Sequence, residues 1–177
     1  MVGRKKKRME MDEPTNALVR TLKDRMDREA ELFAELSREV EHLRESFHKK
    51  DWGPSLAITE SIGRFARTIE DADAARDSQF ESLRDSLDLP RETTMSGILP
   101  HLGDEPRAGL EDSWRALRMS VLRLKTATGR LRYSAETLAD ALNKILEEVF
   151  PYRKGKIYSR KGRPTSVGGA VLVDRKL

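Results

Sequence analysis

Apolar residues recur along most of the chain at the three- and four-residue steps of an amphipathic helix. Over the first third, Leu22, Met26, Phe33, Leu36, Val40, Leu43 and Phe47 follow one another at steps of 4, 7, 3, 4, 3 and 4, a heptad seam in which Glu29 alone is out of character. Acids and a proline at Asp12-Glu13-Pro14 form a helix entry, because negative charge suits the positive end of the helix dipole and a missing N–H costs nothing in the first turn. The stretch "DWGPS" at 51–55 breaks the pattern through Gly53-Pro54. A second stripe then runs through Ile58, Ile62, Phe65, Ile69, Ala72, Phe80, Leu83 and Leu87, interrupted at Arg76, and stops before Pro90.

Between Pro90 and Pro106 the pattern lapses, with room for one helical turn around Met95 to Leu99. Asp104-Glu105-Pro106 repeats the entry signal. The third stripe is the most regular: Leu110, Trp114, Leu117, Val121, Leu124, Thr128, Leu131, Ala135, Leu138, Leu142, Ile145 and Val149 alternate steps of four and three. A stripe this long cannot be buried by its own helix and needs partner helices or another chain. The pattern predicts an all-α fold, an elongated antiparallel three-helix bundle with coiled-coil-like seams over residues 14–150.

The two ends differ in composition from the body. Residues 1–13 hold five Lys or Arg against three acids and read as a basic disordered terminus. Residues 150–177 hold eight against Asp174 alone, and their Gly, Ser, Thr and Pro content predicts a flexible basic tail over 151–177. The overall net charge of +4 therefore conceals an acidic body between basic ends. Without cysteine there is no disulfide framework and no thiolate metal site. "MVGRKKKRMEMDEP" is not followed by the apolar run of a secretory signal, and no stretch of 18 apolar residues occurs, so the expected location is the cytoplasm.

Catalytic signatures are missing from the sequence: no P-loop, no G-x-S-x-G and no dinucleotide fingerprint. The histidines are His42, His48 and His101. Glu39-x-x-His42 and Glu45-x-x-His48 each match half of a di-iron bundle site, but they share one helix, separated by about 240° around its axis, whereas such a site draws on separate helices. The expectation is a protein with no enzymatic activity, no metal and no cofactor. "GRKKKR" at 3–8 and "YRKGKIYSRKGR" at 152–163 could neutralise phosphates, with Tyr152 and Tyr158 available to stack on bases, which makes a basic-tailed nucleic-acid binder one alternative. A coiled-coil scaffold that oligomerises through its seams is the other.

The end of the chain carries a more specific likeness. Tyr158, Gly162 and Ser166 space a Y-x-x-x-G-x-x-x-S element, and Val173-Asp174-Arg175-Lys176-Leu177 closes the chain. A long helix followed by these elements resembles the FlgN family of flagellar type III export chaperones. Residues 82–124 are similar to that family's passage from second to third helix, where a Leu-rich end, a Thr-Ser turn and a brief helix precede the long one. Members often carry asparagines midway along the third helix, whereas this chain has "KTATGRLRYSAETL" there, and its basic N-terminal extension is also a departure. The resemblance implies a cytoplasmic chaperone that holds the hook-filament junction proteins FlgK and FlgL and delivers them to the export gate. It implies docking to the gate component FlhA through Tyr158 and Gly162. Helix-in-groove pairing makes Leu138, Leu142, Ile145, Val149 and Phe150 the expected anchors for the exported protein. Nucleic acid and direct membrane insertion are not expected, and the chain would act as a monomer or a homodimer.

Overall fold

A computed structural model describes residues 13–149 together with the pairs 157–158 and 164–165. The chain divides into two compact units, Met1–Ala135 and Glu136–Leu177. The fold is all-α, with α1 over Glu13–Lys49, α2 over Ser55–Ser86, a short α3 over Met95–Ile98 continued by a 3-10 turn at Leu99–His101, and α4 over Asp104–Val149. The basic terminus expected at residues 1–13 lies outside the described residues except for Glu13.

The first unit is a helical bundle with alternating direction. α1 and α2 run antiparallel, with Leu22 and Leu83 in one apolar cluster and Leu36 and Ile69 in another. α4 runs parallel to α1: Arg130 Nη1 donates to Glu41 at 3.2 Å, and Ser134 Oγ faces His48 Nε2 at 3.3 Å. One cluster joins Val19, Leu22 and Met26 of α1, Leu83 of α2 and Leu110 and Leu117 of α4 with Ile98, Leu99 and Leu102 of the connector. The stretch between Pro90 and Pro106, where periodicity lapses, thus contributes three buried residues to the core. The second cluster joins Leu32, Leu36 and Val40 with Ile69 and Ala127.

Between these clusters sit the two residues that break the seams. Glu29, only 2% exposed, accepts a hydrogen bond from Arg76 Nε at 2.6 Å, and Arg76 also contacts Asp73 and Asp77. Burial pushes the Glu29 carboxyl above its usual range, with Arg76 only partly opposing. Each residue looks like a flaw in its own stripe, and together they form one ion pair. Sliding α1 along α2 by a turn would leave the Glu29 carboxyl buried without its Arg76 partner, so the pair fixes register.

Helices α1 and α2 end where their stripes stop, each closed by a backbone cap. α1 stops at Lys49, ahead of Gly53-Pro54, where Lys50 adopts φ 56°. The Lys50 N–H donates to the Phe47 carbonyl and the Asp51 N–H to the Ser46 carbonyl. α2 ends the same way, with Asp88 at φ 57° and the Asp88 and Leu89 N–H groups donating to the Asp85 and Arg84 carbonyls. These are Schellman caps in which Lys and Asp occupy a position that favours glycine. The buried Arg84 side chain donates to the Arg91 carbonyl at 3.2 Å and ties the connector to α2.

In the second unit, Ile157–Tyr158 (β1) pairs antiparallel with Pro164–Thr165 (β2), Ile157 opposite Thr165 and Tyr158 opposite Pro164. The rest of the tail expected to be flexible lies outside the described residues.

Candidate functional site

Up to Ala135, α4 buries a stripe other than the expected one. Leu110 and Leu117 are buried and Leu124 and Leu131 half-buried, as the heptad requires, but the companion positions are Ser113, Ser120 and Ala127 rather than Trp114, Val121 and Thr128. Val121 and Thr128 are exposed and Trp114 is half-buried. The leucine seam is common to both readings, so the correction moves its second edge by one residue. Serine hides in such a seam because its hydroxyl can return to the helix: Ser120 Oγ donates to the Leu117 carbonyl at 2.7 Å. Across from Ser113, Asp27 also pairs with Lys23 at 2.7 Å. Burial raises the Asp27 carboxyl, yet hydrogen bonds from Lys23 and Ser113 outweigh it and hold the group low.

Displaced from the seam, Trp114 carries the Arg118 guanidinium 5.1 Å from its ring centroid, a cation–π contact. Together with Phe33, Phe80, Met95 and Val121 it lines an open cleft of about 650 Å³ floored by Glu29 and Arg76. His42 and His48 are exposed, and no group of three or more His, Asp or Glu residues is placed to hold a metal among the described residues.

The last turns of α4 are different. Leu142, Ile145 and Val149 are 51, 54 and 61% exposed and Leu138 is half-buried. Leu146, absent from the sequence reading, is exposed on the same face. It lies four residues after Leu142, a step that a strict heptad passes over although a helix of 3.6 residues per turn brings the two side by side. Residues 136–149 hold four acids against Lys144, of which Asp140 and Glu147 lie on the opposite side of the helix and Glu148 borders the apolar face. Of the other expected site residues, Phe150 and Gly162 lie outside the described residues. Tyr158 is placed only by its backbone, in β1 opposite Pro164.

Among the described residues no helix is long and apolar enough to cross a membrane. Comparison with protein-family models, curated proteins and solved structures returns no match for this chain.

Proposed function

We propose that this chain is a FlgN-like export chaperone, which holds the hook-filament junction proteins FlgK and FlgL in the cytoplasm and hands them to the flagellar type III export gate. The observation that carries the reading is the exposed face of Leu142, Ile145, Leu146 and Val149 at the end of α4. Several large apolar side chains exposed on one helix face suit a partner that removes them from water. An amphipathic helix from an incompletely folded client fits them by helix-in-groove pairing, covering an apolar face that would otherwise associate in the cytoplasm. Glu148 beside this face favours a client helix with Lys or Arg along that edge. The resemblance supplies the remaining step, docking to FlhA through Tyr158 and Gly162. The proposal assigns the chain no catalytic role.

The test is co-purification with the terminal helical regions of FlgK and FlgL. Replacing Leu142 and Ile145 together by Asp should weaken that complex by about a hundredfold or more, since one well-buried anchor is worth about 2 kcal/mol. The helicity of the variant should be unchanged, because both side chains are already exposed. Tyr158→Ala should weaken binding to FlhA and leave the FlgK and FlgL complexes intact. Complexes that dissolve on nuclease treatment, or that survive the Asp pair, would defeat the chaperone reading.

A further inference from the structure

On the side of α4 turned away from the core, the chain repeats a second heptad pattern that its own fold does not use. Met119, Leu122, Thr126, Gly129 and Tyr133 succeed one another at steps of three and four, and all five are exposed. They stand opposite Leu117, Ser120, Leu124 and Ala127, which face the bundle. Taking Met119, Thr126 and Tyr133 as a positions and Leu122 and Gly129 as d positions places Arg123 and Arg130 at e, and Arg118, Lys125 and Arg132 at g. Every one of these flanking positions is basic and exposed.

The charge follows the same division. Residues 107–132 hold seven Lys or Arg against two acids. Arg118 stacks on Trp114 and Arg130 reaches Glu41, while Arg123 and Lys125 have no ion-pair partner among the described residues. Shallow depressions border Met119 and Leu122 on both sides, one shared with Trp114 and Arg118 and one with Glu41 and Arg130. A Cβ added at Gly129 would meet nothing within 4 Å, so no packing inside this unit calls for a glycine there. Mid-helix glycine costs about 1 kcal/mol relative to alanine, and its bare backbone permits a neighbouring helix to come close.

We propose that this outer face of α4, residues 118–133, is the docking surface for an acidic amphipathic helix of another protein, one with apolar a and d positions and Glu or Asp at e and g. Charge decides the occupant. A second copy laid face to face would set basic e and g rows against each other, the arrangement that specifies against self-pairing in coiled coils. An acidic helix turns the same rows into interhelical ion pairs. The inference does not depend on the chaperone reading. It concerns a different stretch of α4 from the apolar face over residues 138–149.

The test uses the full chain and two synthetic four-heptad peptides with Leu at a and d, one bearing Glu and the other Lys at e and g. Fluorescence anisotropy should detect micromolar binding of the Glu peptide. That binding should weaken by about tenfold or more between 0.1 and 1 M salt, where the Debye length shrinks from about 10 to 3 Å. The Lys peptide should not bind at 118–133, and any binding it shows should disappear when Leu142 and Ile145 are replaced by Asp. Leu122→Asp should abolish Glu-peptide binding without loss of helicity, and Arg123→Glu with Lys125→Glu should weaken it at least tenfold. Failure of the Glu peptide to bind, or binding indifferent to both sets of variants, overturns the proposal. So does a dimer in sedimentation that Leu122→Asp dissolves, which would give the face to a second copy. Capture of the chain by phosphatidylglycerol vesicles that is lost in Leu122→Asp would give it to a lipid surface.

Discussion

α4 carries two stretches built from one leucine repeat, and they end in opposite states. Leu110, Leu117, Leu124 and Leu131 continue at the same seven-residue spacing into Leu138 and Ile145. Among the first four, Leu110 and Leu117 are buried and the others half-buried, whereas Ile145 is 54% exposed. Propensity and periodicity hardly change along this row; what changes is how far its side chains are covered. A heptad therefore says that a helix face is apolar and leaves open whether the chain itself covers it. The charge composition separates the two better: Lys and Arg outnumber acids seven to two over residues 107–132, and acids outnumber Lys144 four to one over 136–149.

The sharpest way to break this comparison is to truncate one leucine in each stretch. Leu110→Ala should cost about 3 kcal/mol in urea denaturation, because a fully buried leucine loses both its transfer energy and its packing partners. Leu142→Ala, at a half-exposed site, should change stability by less than about 0.5 kcal/mol. Equal costs would mean that the uncovered stretch is packed in solution.

A slightly smaller effect tests how the covered stretch is held. Arg76→Leu strands Glu29 and should cost about 3 kcal/mol or somewhat less, since Arg76 keeps partial solvent access, while adding Glu29→Leu should restore most of it. The pH dependence gives the sign independently. Glu29 has a raised carboxyl, so the folded chain binds that proton more tightly than the unfolded one. Its contribution is full below the unfolded glutamate value and is lost as pH rises through the folded value. Asp27 and Glu41 are held low, so their contributions are present above the unfolded values and lost as pH falls through the folded ones. Lowering the pH from neutral toward the ordinary glutamate range should therefore raise the Glu29 contribution, and Glu29→Gln should remove that rise while leaving the acid-side loss in place.

A smaller effect than these two losses leaves α4 untouched. Lys50→Gly and Asp88→Gly should each stabilise the bundle by about 0.5–1 kcal/mol, because both positions hold positive φ at a helix C-terminus. Thermal unfolding followed by circular dichroism would register the gain. A loss at Lys50 would mean that its side chain contributes more than its backbone conformation costs.

The helices and their order were legible because three long stripes with acid-proline entries leave little choice of secondary structure. Glu29 and Arg76 were legible only as separate anomalies, since nothing local says which interruption on one helix meets which on another. Ser113 and Ser120 were missed because a hydroxyl reads as surface until its backbone partner is known. Ile98, Leu99 and Leu102 were missed because a short connector has no period to reveal its inner side. For the candidate site, exposure of Ile145 could not be read from the row that names it, because Leu110 and Leu117 of that row are buried further up, whereas Leu142 and Val149 continue the edge of Val121 and Thr128 that is exposed there too.

The parallel arrangement of α1 and α4 also sets an order of assembly. Arg130 and Glu41 lie 89 residues apart and Ser134 and His48 lie 86 apart, whereas Arg76 and Glu29 are separated by 47. Closing the shorter loop loses less chain entropy. During synthesis, moreover, α1 and α2 leave the ribosome before α4 exists. The nascent α1–α2 hairpin therefore waits with Leu22, Met26 and Leu83 incompletely covered, and translation speed through residues 87–117 fixes how long that apolar edge is offered to other nascent chains.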